Sequence, residues 1–224
     1  MGEANSAPDR VGPGGPVDRL AALQGTNLLV VAPPMSGKRS FGRSVLAAGV
    51  GSGRDALFVT TSRSVASLPF DPAEAGRFGV VDCTPNSVGE DAPVVNVGSP
   101  GDLTGISMPV SRFLDGAEDP VVLLDSISSI LQYADEESAF RFLSVLTSRL
   151  AAAGGVGLYT FDEGIHSEQT YRTFAQLFDS RVELRGIGDA GTDPGGDTDG
   201  AGTTEVRLSG VPGAPDGWTS VRTE

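Results

Sequence analysis

Several residues that carry chemistry in other proteins are nearly missing from this chain. Its 224 residues hold one cysteine, one histidine, one tryptophan and, read along the sequence, one lysine. The lone cysteine, Cys83, excludes a disulfide within the chain and any metal site built on several thiolates. It reads as a small buried hydrophobe at a strand end. With a lone histidine, His166, neither a zinc cluster nor a hydrolytic triad finds support. No apolar run approaches the roughly 18 residues that a membrane span requires. The start of the chain shows no basic-then-apolar leader pattern, so the expected compartment is a reducing cytoplasm and no membrane partner is expected.

Positive charge is scarce too. Lys and Arg total 16 against 29 Asp and Glu, a net charge of -13, and the isoelectric point is about 4.4. The acidic residues are spread along the chain rather than gathered in a tail. A face basic enough for sequence-independent nucleic-acid binding is therefore not expected. Arginine is kept while lysine is almost gone. That pattern points to a protein held soluble in concentrated salt, as in a halophile, the alternative being an acidic mesophile protein.

Against this background, the position of the one lysine stands out. Residues 27–40 read NLLVVAPPMSGKRS. An apolar run ends in a loop of small residues, followed by Gly37, Lys38 and a helical stretch. Strand, loop and helix in that order are the layout of a phosphate-binding loop. Backbone N–H groups would cradle phosphate oxygens, the helix N-terminus would add its dipole, and Lys38 would bring a full positive charge. The pattern G-x-x-x-x-G-K-[ST] is only half met. Ala32 stands at its first glycine, and Arg39 stands where the magnesium-binding hydroxyl belongs. Ser40 comes one residue late, which on a helix turns it by roughly 100°. The alternative is an ordinary strand-to-helix turn in which Gly37 supplies backbone freedom.

Apolar runs at residues 56–60, 78–83, 93–97, 120–125, 155–161 and 180–184 predict further strands. Helical spacing marks residues 17–23, 41–50, 103–114, 137–152 and 169–178. Continuous rather than alternating apolar runs, separated by amphipathic helices, predict a mainly parallel sheet covered on both faces. Ligands of such sheets bind at the carboxyl ends of the strands. Residues 1–16, rich in Gly, Pro and Ala, read as a disordered arm, and residues 17–224 as one α/β domain. Residues 186–203 read as a flexible Gly/Asp-rich loop, and the segments at 204–208 and 218–222 as a terminal β-hairpin. Trp218 reads as a core or hairpin plug, the alternative being a binding residue.

A second motif lies at residues 121–126, where four apolar residues lead into Asp125 and Ser126. A carboxylate at a strand end beside a phosphate loop can hold Mg²⁺ through water. The alternative is an Asp that caps the next helix.

Four segments together resemble the RecA superfamily: residues 27–40, VVNVGSPGDL at 94–103, VVLLDSISSILQY at 121–133, and HSEQTYRTFAQLFDSRVEL at 166–184. The likeness is to the archaeal KaiC-like branch, in particular its degenerate haloarchaeal members, and covers residues 17–222. It implies a RecA-like P-loop fold and an ATP-binding core with Mg²⁺. It also implies a habit of forming rings or dimers with nucleotide at subunit boundaries. Carried over, it makes Pro34, Met35, Ser36, Gly37, Lys38, Arg39 and Ser40 the nucleotide-binding residues and Asp125 the metal residue. KaiC-like ATPases carry a pair of glutamates after the second strand to activate water. Here that place reads Thr60, Thr61, Ser62 and Arg63, without a carboxylate. Asp71 and Glu74 lie further on.

The expectation is a degenerate nucleotide-binding protein, a regulatory or signalling module with weak or no hydrolysis. The alternatives are a RecA-fold scaffold for a protein partner and, third, an active ATPase. His166 is expected to be a surface residue starting a helix, the alternative being a base or a γ-phosphate sensor. The acidic, lysine-poor composition generates a prediction by itself. Like charges repel in the compact state and salt screens them. Thermal unfolding followed by circular dichroism should shift to higher temperature from low to molar KCl, and a melting point independent of salt would remove the halophile inference.

Overall fold

Long apolar strands must bury both faces, and the central strands here do. The structure, a computed structural model, describes residues 15–63, 75–84, 94–186 and 202–223. Strands β1 (Thr26–Ala32), β2 (Ala56–Thr60) and β5 (Val121–Asp125) are buried almost throughout. In β1, Leu28, Val30 and Ala32 face one apolar cluster with helices α1 (Pro16–Ala21) and α2 (Lys38–Gly51). Leu29 and Val31 face a second cluster with α3 (Leu103–Leu114), α4 (Ile127–Tyr133) and α5 (Glu136–Ala152). Each fully buried Leu, Val or Phe side chain contributes about 1.5–3 kcal/mol. A one-residue slip in any central strand would exchange its two apolar sets between clusters of different shape.

The remaining strands are β3 (Phe78–Asp82), β4 (Val94–Asn96), β6 (Val156–Asp162), β7 (Ser180–Gly186), β8 (Gly202–Ser209) and β9 (Thr219–Thr223). Helix α6 (Glu168–Ala175) lies between β6 and β7. Among the described residues the sheet runs β4-β3-β2-β5-β6-β1-β7-β8-β9. Strands β1 to β7 are parallel to their neighbours, and β8 and β9 add an antiparallel hairpin at the β7 edge. This is the mainly parallel α/β sheet with a C-terminal hairpin expected from the sequence.

Several boundaries differ from the sequence expectation, for local reasons. Helix α2 starts at Lys38 rather than 41, because Gly37 adopts a left-handed φ of 82° and hands the chain directly into the helix. Helix α4 was not anticipated, since seven residues with several serines show no long stripe. Ser126 starts it, accepting a hydrogen bond from the Ser129 N–H at 3.1 Å, so the residue that caps is Ser126 and not Asp125. Helix α6 ends at Ala175 instead of 178, and α1 begins at Pro16. Beside Trp218, the guanidinium groups of Arg185 and Arg207 lie 4.2 Å and 4.9 Å from its ring centre. The ring thus joins β7 to β8 by cation–π contacts. The expected arm, apart from residues 15 and 16, and residues 187–201 of the expected loop lie outside the described residues.

Helix α2 crosses the sheet through two glycines. A Cβ at Gly49 would stand 2.5 Å from Val121 Cγ2, and one at Gly42 would stand 2.7 Å from Leu123 Cδ1. The Leu123 tip can rotate away, but the branched Val121 is stiff. Alanine normally favours a helix over glycine by up to about 1 kcal/mol. At Gly49 the overlap should win. Gly49→Ala should destabilise the fold by about 1–3 kcal/mol in urea unfolding, and a stabilised variant would contradict this close approach.

Candidate functional site

Four strands deliver their carboxyl ends to one place. In register, Ala32 at the end of β1 is level with Asp162 at the end of β6, and Thr60 at the end of β2 is level with Asp125 at the end of β5. The loop after β1 closes over these ends. Met35 in that loop takes a positive φ of 60° and is 87% exposed. The Ser36 hydroxyl donates to the Pro33 carbonyl at 2.6 Å. A side chain at Gly37 would be strained: its φ is left-handed, and a Cβ there would stand 3.2 Å from Thr204 Oγ1 of β8. No side chain caps the N-terminus of α2 and no acidic residue lies in its first turn. Its N–H groups and the positive end of its dipole are available to an anion.

The charged side chains come next. Lys38 is 8% exposed, and its ammonium pairs with the Asp162 carboxylate and lies 3.5 Å from the Pro33 carbonyl. The Arg39 Nε lies 3.6 Å from Asp125 Oδ2, and its Nη2 donates to the Arg63 carbonyl at 3.1 Å. Asp125 Oδ1 accepts from Thr160 Oγ1 at 2.6 Å, and Oδ2 accepts from Ser62 Oγ at 3.3 Å. Behind this carboxylate, Thr61 Oγ1 accepts from the Ser126 N–H at 2.7 Å and donates to the Ser126 carbonyl at 3.0 Å. Ser128 Oγ accepts from the Asp162 N–H at 2.8 Å. The result is a polar floor whose groups are mutually hydrogen-bonded.

Pro34, Met35, Ser36, Gly37, Lys38, Arg39, Ser40 and Asp125, the residues singled out from the sequence, all line one cavity of about 270 Å³. Ser62, Arg63, Ser126, Ser129 and Asp162 complete it. Asp162 was missed because the apolar run that marks β6 stops at Phe161. The signal that would have found it is a carboxylate at a strand end, the same signal that marked Asp125. Thr160 lies inside β6 rather than at its end. His166 is not among the cavity's residues. Its ring centre lies 5.1 Å from that of Phe161, just before Ser167, which caps α6. Asp71 and Glu74 lie outside the described residues.

Mg²⁺ prefers an octahedral oxygen shell with one or two carboxylates and several waters. The Asp125 carboxylate has both oxygens engaged by protein donors, and the side chain at residue 39 is a cation instead of a hydroxyl. This donor set fits the metal poorly. Among the described residues no group of three or more His, Cys, Asp or Glu side chains could hold a metal ion.

The mainly parallel sheet between two helical layers, with its antiparallel hairpin at the β7 edge, is a RecA-like fold. A KaiC-like protein of the archaeon Pyrococcus horikoshii superposes on 90% of this chain and 86% of its own, with a TM-score of 0.60 and 17% identity. At that identity the likeness shows the fold. Residues 25–184 match the model of the family of unknown function DUF7504, and the chain belongs to that family. No curated protein matches it. Among the described residues no helix is long and apolar enough to cross a membrane.

Cys83 follows β3 on the same edge of the sheet and is fully buried. Burial, and then the negative charges of Asp82 and Asp102, push its thiol up to about 12. The thiolate is the reactive form, so the native thiol is inert. Ellman's reagent at pH 8 should label the native chain at least a hundredfold more slowly than the denatured chain. The sign for stability follows from the same shift. The folded thiol holds its proton more tightly than the unfolded one. Its contribution is therefore full below the unfolded value near 9 and is lost as pH rises from there toward about 12.

Proposed function

We propose that this chain binds ATP or a similar nucleotide in the cavity between the β1 loop and the ends of β2, β5 and β6. The observation that carries the reading is Lys38. It is the chain's one lysine, it is buried, and it opens α2 at an uncapped N-terminus beside the cavity that Asp125 also lines. Lys38 would reach the β- and γ-phosphates on leaving Asp162. Pro34, Met35, Ser36, Gly37 and Ser40 would line the loop, and Arg39 would offset phosphate charge. The role is that of a regulatory or signalling module in a salt-rich cytoplasm.

Little or no hydrolysis is part of the proposal. Attack of water on a γ-phosphate needs a phosphate cradle, countercharge and a group that orients or deprotonates the water. Among the described residues, the cavity's carboxylates are Asp125 and Asp162, and each already faces a protein cation. The segment after β2 offers Thr61, Ser62 and Arg63 instead of a carboxylate. A second copy of the chain or a protein partner could supply the missing group across an interface. Those same internal ion pairs favour the second reading, a RecA-fold scaffold that holds a partner without nucleotide.

One titration series separates these readings. Calorimetry with ATP in high-salt buffer should show binding, and Lys38→Ala should weaken it by roughly 1.5–3 kcal/mol through loss of a charge-assisted contact. Phosphate release from the same samples should stay near background at every protein concentration. Absence of binding at millimolar ATP would leave the scaffold. Robust turnover abolished by Lys38→Ala would make the chain an ATPase, and turnover only at high concentration would place the missing group on a neighbouring copy.

A further inference from the structure

A guanidinium occupies the place where a phosphate loop normally meets its metal. Residue 39 is the position of the metal-binding hydroxyl in G-K-[ST], and here its side chain reaches across the cavity. The Arg39 Nε stands 3.6 Å from the Asp125 carboxylate, with side-chain exposures of only 17% and 5% for the two residues. Its Nη2 is fixed by the Arg63 carbonyl at 3.1 Å, and its Cζ lies 5.9 Å from the centre of the Phe58 ring. The remaining nitrogen, Nη1, is buried and has no hydrogen-bond partner. A buried donor without an acceptor is costly, and a water, an ion or a ligand atom can supply the acceptor.

We propose that Arg39 replaces Mg²⁺ in this site, so that nucleotide is bound as the metal-free anion. The inference rests on the nucleotide reading above and specifies the ligand form that the site takes. Three physical reasons converge. Arginine keeps its charge at any ordinary pH, so the countercharge is always present. A divalent ion entering beside Asp125 would have to approach a fixed cation and share carboxylate oxygens that already accept from Thr160 and Ser62. A phosphate oxygen, by contrast, would give the Arg39 guanidinium a second anionic partner beside Asp125, and guanidinium geometry suits phosphate. The uncapped start of α2 leaves its N–H groups free for the same anion.

The alternative is that Arg39 only staples α2 to β5 through Asp125. The deciding measurement is calorimetric titration of the full chain with ATP, once in EDTA and once with a few millimolar Mg²⁺. The expected Kd values agree within about threefold. Binding that is at least tenfold tighter with Mg²⁺ overturns the proposal and leaves the nucleotide reading intact. No binding in either buffer overturns the nucleotide reading and this inference with it. Arg39→Thr restores the hydroxyl of the motif. In EDTA it should bind at least tenfold more weakly than the wild type, with part of the loss recovered on adding Mg²⁺. Unchanged affinity in EDTA would make Arg39 a staple and refute its role as countercharge. The wild-type comparison decides the question even if that variant folds poorly.

Discussion

One carboxylate organises the functional end of this molecule. Asp125 ends β5, accepts a hydrogen bond from Thr160 of β6, accepts another from Ser62 just past β2, and faces Arg39 on the first turn of α2. Four chain segments meet at its two oxygens. A buried charge left unpaired is strongly unfavourable, so each donor is held in place by what the others leave unsatisfied. The Lys38–Asp162 pair repeats the arrangement one strand further along the sheet. Both pairs join the start of α2 to a strand end. The loop between β1 and α2 is thereby stretched across a floor that the sheet register has already levelled.

The sheet itself was legible because its strands are buried on both sides. Runs such as Val121 to Leu124 have no polar face, and that alone told parallel from antiparallel order. Boundaries were less legible. A left-handed glycine at 37 starts α2 earlier than apolar spacing indicates, and a serine cap at 126 creates a helix too short to show a period. These are local backbone effects, decided by one residue each, and hydrophobic periodicity is blind to them.

The residues of the candidate cavity were legible as neighbours, and their connections were not. Sequence spacing brought residues 34–40 and Asp125 to attention, and they do surround one cavity. What spacing cannot convey is that Lys38 and Arg39 each have a carboxylate facing them from within the fold. Such pairing depends on rotamers and strand register across 124 residues in one case, which no motif encodes. The arginine at 39 looked from the sequence like the loss of a ligand. In three dimensions it is a cation set where the motif places a cation-binding group. Loss at the level of the motif is thus compatible with retained electrostatic balance at the level of the cavity.

The contact between the loop and the C-terminal hairpin has a mechanical meaning. Thr204 stands 3.2 Å from where a side chain on Gly37 would begin, so β8 acts as a wall behind the loop. The loop is backed on that side, while Met35 of the same loop stands exposed to solvent. The hairpin, far along the sheet from β2 and β5, thus touches the cavity's lining at Gly37. A change in how β8 and β9 pair along the sheet edge would therefore reach the cavity through Gly37, one of the residues that line it.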